Sequence, residues 1–182
     1  MEKNMVNAIQ EAVYASGAVT ALTRKYQQKE LAKDNHVTQS LVSQQAAGKR
    51  KVSQQTAQSY NNNYNDPFSV MIFANKFTNG IIPPLFDGVD QHQMSLSYRF
   101  EKESNEAIRE IQRQLEVFSE SIKESSQEQS SAAKNVIAEL LDVVATTNTF
   151  IANIAYKYQI DLKREAEVRA MYWKEKGLIK IM

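Results

Sequence analysis

Apolar and polar positions divide the chain into four stretches. In residues 1–35, Ala8, Ala12, Ala15, Val19, Leu22 and Tyr26 recur at alternating intervals of four and three. That is the stripe of a helix lying along a neighbour. Only Gly17 interrupts good helix formers between Glu2 and Lys33, so the pattern predicts one N-terminal amphipathic helix ending at Asp34-Asn35. Its first half carries small side chains, which would let a partner approach closely.

Residues 36–66 are polar, with Gln-, Ser- and Asn-rich runs around Gly48-Lys49-Arg50-Lys51 and Tyr60 to Asn65. Apolar side chains here are too sparse to offset an ordering cost of about 1–2 kcal/mol per residue. The expectation is a flexible linker, helical at most around Leu41 and Val42, with Tyr60 and Tyr64 as contact points if a partner orders it.

Residues 67–89 form the densest apolar block. Asp66-Pro67 is a helix start, because the carboxylate can cap free N–H groups and proline is tolerated in the first turn. Phe68, Met71, Ile72, Phe73 and Phe77 fill a short helix, and Asn79-Gly80 ends it in the left-handed region. Ile81, Ile82, the two prolines, Leu85 and Phe86 make a stiff connector to an Asp-Gly turn. Two readings stand for this block: a plug in the core, or a patch that meets a membrane or a partner. Lys76 alone interrupts it, and interfacial helices are usually richer in cations.

From Asp90, where Asp90 and Gln93 have capping-box spacing, to Lys176 there is neither glycine nor proline. Ile108, Ile111, Leu115, Phe118 and Ile122 repeat as a heptad seam with charged neighbours. The same phase passes through Gln129 to Val136, Val143 and Phe150. Ile137, Leu140, Leu141, Val144, Ile151 and Ile154 then widen the apolar face into that of a bundle helix. Residues 90–182 are therefore expected to form a long coiled-coil or bundle helix with an apolar tail. The Ser125 to Ser131 segment is either its polar centre or a hairpin corner, and the surviving phase favours the former. Tyr172, Trp173, Leu178, Ile179 and Ile181 at the end make a candidate interface, by local packing or by contact with a partner.

Composition narrows the function. With no cysteine, disulfides, thiolate metal sites and cysteine nucleophiles are excluded. A net charge of +1 argues against a broad grip on nucleic acid, so no nucleic acid is expected as a partner. The run Lys49-Arg50-Lys51 reads as a solvated loop. His36 and His92 stand apart, without a second ligand at a metal-binding spacing, and no phosphate loop or nucleophile elbow occurs. No cofactor is expected, and no enzyme. The first residues lack the pattern of a Sec-type signal, which predicts a protein soluble when made; export without that signal or packaging in a virion is compatible with it.

These features predict an all-α fold: a long heptad-containing C-terminal helix, or a helical hairpin, packed with an N-terminal helix and a short apolar helix across a flexible polar linker. The expected role is a structural subunit of a multi-copy assembly, such as a secretion or injection apparatus or a virion tail, core or ejection component. Partners would be its own copies and other helical subunits, through Ile108, Ile111, Leu115, Phe118, Ile122, Val136, Leu140, Val143 and Phe150. Two alternatives remain: a membrane-active translocation or ejection factor using residues 68–86, and a chaperone or adaptor gripping one helix through Val136 to Ile154. In organisation the chain is similar to the small helical proteins exported by type III secretion systems and to helical phage ejection proteins. The likeness is of architecture alone, and no residue role is carried over from it.

Overall fold

A computed structural model describes residues 11–119 and 127–180. Among these the protein is helical, apart from one pair of two-residue strands. The chain divides into two compact units: residues 1–80 with 152–182, and residues 81–151.

In the first unit, β1 (Ala12–Val13) pairs antiparallel with β2 (Val52–Ser53), Val13 opposite Val52. Around this clip lie α1 (Ser16–Lys25), α2 (Gln28–Asp34), α3 (Gln39–Ala46), α4 (Gln54–Asn63) and α5 (Pro67–Phe77). The helix α1 packs on α3 and α5, and α2 packs on α3. The core gathers Val19, Leu22, Leu31, Val42, Val52, Tyr60 and Phe73, all essentially without solvent contact. Small residues let α1 and α5 approach closely: Ala15 and Ala18 are buried, and Ile72 of α5 comes within 3.7 Å of where a Gly17 Cβ would lie.

The single N-terminal helix does not form. Its residues before Glu11, Ala8 included, lie outside the described set, and Ala12 is in β1. At Tyr26 the backbone turns extended. The Tyr26 ring instead packs on Tyr64, 4.5 Å between centroids, while the Glu30 carboxylate accepts the Gln27 N–H and restarts the helix. A tertiary aromatic contact and a new cap outweigh one more turn of regular helix.

The expected flexible linker is also corrected, because residues 36–66 hold α3, β2 and α4. Thr38, Ser53 and Asp66 cap α3, α4 and α5 by accepting backbone N–H groups. Few apolar residues are needed, since they sit on inward faces: Val42, Val52, Ala57, Tyr60 and Tyr64 are buried. Inward polar groups pair with one another. The Tyr60 hydroxyl donates to Gln45 Oε1 at 3.1 Å, Gln45 Nε2 donates to the Lys51 carbonyl at 3.2 Å, and the Tyr64 hydroxyl donates to Asp34 at 2.8 Å.

The apolar block divides as well. Phe73 and Phe77 are core residues, Met71 and Ile72 are half-buried, and Phe68 meets Tyr156 edge-on at 5.4 Å. Within α5 the block is thus a core plug. Thr78 N–H returns to Ala74, Asn79 stands at φ 53°, and Gly80 N–H returns to Asn75, so the helix ends where the Asn-Gly signal places it. The same left-handed stop closes α2 at His36 and α3 at Gly48.

The second unit begins with the connector, in which Pro83 is buried, Ile82, Leu85 and Phe86 are half-buried and Ile81 is exposed. Then come α6 (Gln93–Arg113), α7 (Leu115–Ser119) and most of α8 (Gln127–Lys157). The cap of α6 is not the Asp90-Gln93 box. His92 Nδ1 accepts the Met94 N–H at 3.3 Å, and Asp90 accepts from the His92 N–H and the Ser95 hydroxyl. These bonds, Ser95 first, hold the Asp90 carboxyl below its usual range.

A straight helix from Asp90 to Lys176 is excluded. Phe86 N–H donates to Thr149 Oγ1 at 2.9 Å. A continuous helix would put Thr149 about 84 Å from Gln93, at about 1.5 Å per residue. The seven residues from Phe86 to Gln93 span at most about 25 Å. The chain therefore folds back between α6 and α8. The Ser125 to Ser131 segment is helical from Gln127, and its first residues lie outside those described. A further stop follows α8, where Gln159 takes φ 55° and Asp161 caps α9 (Leu162–Glu175). The helix α9 ends at Gly177, as its glycine and lysines predict.

Candidate assembly surface

The helix α8 contains neither glycine nor proline and has six alanines, so it runs unbroken for 31 residues. Its two sides are unlike those of an ordinary amphipathic helix. Turned inward are mainly small or hydroxylated residues: Ala132, Val136, Ala145, Thr146, Thr149 and Ala152. Turned outward are Ile137, Leu140, Leu141, Val144 and Ile151, between 37% and 55% exposed. Ile137, Val144 and Ile151 lie seven residues apart on one line, with Leu140 and Leu141 flanking it in one layer and Thr147 and Asn148 in the next. The strip carries no charged side chain.

The inward hydroxyls are held unevenly. Thr149 donates to the Ala145 carbonyl at 2.8 Å and accepts from Phe86, whereas the fully buried Thr146 hydroxyl has no hydrogen-bond partner. On α6 the inward side includes Glu103 and Glu110 beside Leu96 and Ala107. Glu103 lies 3.5 Å from Arg99 and 3.3 Å from Lys102, and Glu110 pairs with Arg113 and accepts from Gln114. Cations of the same helix thus neutralise the buried carboxylates.

The heptad seam read from the sequence does not form one surface. Val136 is buried, and Ile111, Val143 and Phe150 are half-buried. Leu140, Ile108, Leu115 and Phe118 are exposed, and Ile122 lies outside the described residues. On α8 the exposed centreline is one residue later than the seam's phase, a rotation of about 100°. Ile137, Val144 and Ile151, read from the sequence as part of the widened apolar face and not as a line of their own, carried a readable signal, a β-branched residue at every seventh position.

At the end of α9, Tyr172 and Trp173 are each 41% exposed, and Arg169 stacks its guanidinium 4.3 Å from the Tyr172 centroid and 5.9 Å from that of Trp173. Leu178 is exposed and Ile179 half-buried, while Ile181 lies outside the described residues. Leu178 N–H returns to the Trp173 carbonyl at 2.9 Å, so the start of the tail folds back on the last turn.

The basic run borders an open groove of about 700 Å³ with Tyr14, Thr38, Ser40, Leu41 and Gln44. Gln44 accepts from Arg50 Nε at 3.2 Å, and Lys51 lies 5.5 Å from the centre of the Tyr14 ring. Both histidines have structural places, His36 at a left-handed helix stop and His92 as a cap. Among the described residues, no group of three or more histidine, cysteine or acidic side chains could hold a metal. The chain matches no family model, no curated protein and no solved structure.

Proposed function

We propose that the protein is a non-catalytic structural subunit that joins a multi-copy assembly by packing the outer side of α8 against another helix. Secretion or injection apparatus and virion tail, core or ejection structures are the assemblies such a subunit fits. The observation that carries this reading is the uncovered aliphatic strip on α8. Its five side chains leave on the order of 400 Å² bare, a size at which apolar patches on soluble proteins are often functional. Helix interiors normally take the large side chains and leave the small ones outside. The opposite arrangement here supports a second burial step after folding.

Light scattering after size exclusion, across a wide concentration range, tests it. The mass is expected to rise into defined oligomers, and Val144→Glu is expected to return the protein to monomer with helicity unchanged. A monomer at every concentration would sink the proposal.

One observation favours a second reading, in which the protein acts on a membrane. Residues Gln129–Lys157 of α8 are long and apolar enough to span a bilayer, and most of that window is uncovered. The membrane-facing element would then be α8 rather than residues 68–86, because releasing Phe73 and Phe77 requires opening the first unit's core. Leakage from anionic or neutral vesicles that Val144→Glu abolishes would favour it over assembly in solution.

A further inference from the structure

We infer that the outer strip of α8 is covered by the same strip of a second copy of this chain, with the two helices parallel and in register. The inference rests on the self-assembly reading above and adds the identity and direction of the neighbour.

Three features of the strip support it. Its centreline is Ile137, Val144 and Ile151, all β-branched, with Leu140 three residues after the first; β-branched residues at this position with leucine at the next favour two-stranded parallel pairing. It also has no charge of either sign, so the strip meets no repulsion when paired with itself in register. Finally, burying it on both copies removes about 800 Å² of aliphatic surface, and the Thr147 and Asn148 flanks bring this close to the roughly 1,000 Å² of a specific interface.

Direction follows from the order of the layers. Leu140 and Leu141 flank the line on one side of Val144, and Thr147 and Asn148 flank it on the other. In a parallel pair, the leucine layer meets the leucine layer and Asn148 meets Thr147 of the second copy, whose hydroxyl oxygen can accept from the Asn148 amide. In an antiparallel pair centred on Val144, Asn148 meets Leu141 of the second copy, and this happens twice. Each time a carboxamide loses water and gains no partner. The parallel pair is therefore favoured by at least about tenfold. Thr147 keeps its oxygen for the Asn148 amide, because its own proton is donated to the Val143 carbonyl at 2.7 Å.

The chain has no cysteine, so a single introduced thiol reports its own neighbour. The test is to make Ile137→Cys, Val144→Cys and Ile151→Cys separately in the full chain, oxidise each mildly and separate covalent dimers without reductant. Circular dichroism of each variant confirms that the exposed substitution leaves the fold intact. All three are expected to cross-link to themselves, and a mixture of Ile137→Cys with Ile151→Cys is expected to give at least about tenfold less mixed product than self product. Asn148→Leu is expected to narrow that ratio. Self-linking by Val144→Cys alone, with strong mixed linking of the outer two, would establish the antiparallel pair and overturn the inference. Oligomers by light scattering with no cross-link at any of the three positions would also overturn it, leaving the assembly reading in place. A wild-type monomer at all concentrations would remove both.

Discussion

Replacing Tyr60 with phenylalanine removes one oxygen from the middle of the first unit and asks whether residues 36–66 belong to the fold. Tyr60 has no solvent exposure, and its hydroxyl is 3.1 Å from Gln45 Oε1, itself only 2% exposed. Gln45 stays tied through Nε2 to the Lys51 carbonyl, so its freed oxygen cannot turn toward water. A buried acceptor left unpaired costs about 1–3 kcal/mol. For a chain of this size that lowers the midpoint of thermal unfolding by roughly 2–12 °C. Gln45→Leu alone should cost a similar amount by stranding the hydroxyl. The double variant removes both members, so its loss should fall short of the sum by about 1 kcal/mol or more. Urea and thermal unfolding followed by circular dichroism measure all four proteins. A Tyr60→Phe protein within about 0.3 kcal/mol of wild type, with no coupling to Gln45, would refute the packed arrangement of this segment. Alkaline titration gives an independent reading. Burial pushes the Tyr60 phenol from its ordinary 10.0 up to about 12. Folding thus favours the protonated phenol; the stability it contributes is complete below pH 10 and is lost as pH rises toward 12, and Tyr60→Phe should lessen that loss.

Further substitutions at three positions test separate parts of the structure. Thr146→Val removes the buried, unpartnered hydroxyl of α8 at nearly constant shape and should raise stability by about 1 kcal/mol in urea unfolding. Gln159→Gly should stabilise by up to about 1 kcal/mol, because a left-handed residue with a Cβ is strained by about 1–2 kcal/mol and glycine's added entropy cost returns part of the gain. Asp66→Ala should cost about 1–2 kcal/mol through loss of the α5 cap. Burial raises the Asp66 carboxyl above its usual range, so folding favours its protonated form; its contribution is complete below pH 3.8 and is lost as pH rises through the folded value. Asp66→Asn, which keeps the cap without the charge, should therefore match or exceed wild type at neutral pH and lose that advantage in acid.

Signals confined to one helical turn were legible in the sequence. Asp66-Pro67 opens a helix, while Asn79-Gly80 and Gly177 end helices, because a cap or a left-handed stop needs only its immediate neighbours. The all-α class followed from the same local preferences. The break at Tyr26 depends on Tyr64, and order in residues 36–66 depends on Gln45 meeting Tyr60 fifteen positions later. No window along the chain contains those pairs as neighbours. The foldback between α6 and α8 was hidden for a related reason, since a glycine-free stretch with a preserved heptad phase reads as one helix. The strip on α8 was half legible. Its apolar residues were plain, but the apolar face is broader than half the helix, so the sequence left open which side the remaining protein would cover.

One consequence of α9 concerns time rather than form. No residue of this helix is buried, and at 14 residues it is near the length below which an isolated helix is marginal in water. It is tied to the first unit by side-chain hydrogen bonds near its start, such as Lys163 to Asn62 and Asn65 to the Ile160 carbonyl. Such a segment opens and recloses without disturbing the core, so its amides exchange with solvent long before those around Leu22 and Phe73. Trypsin reaches Arg164, Arg169 and Lys174 in that open form. The segment from Asp161 to Lys180 therefore behaves as a fast-opening element, whose closed lifetime any surface that engages Tyr172 and Trp173 would lengthen.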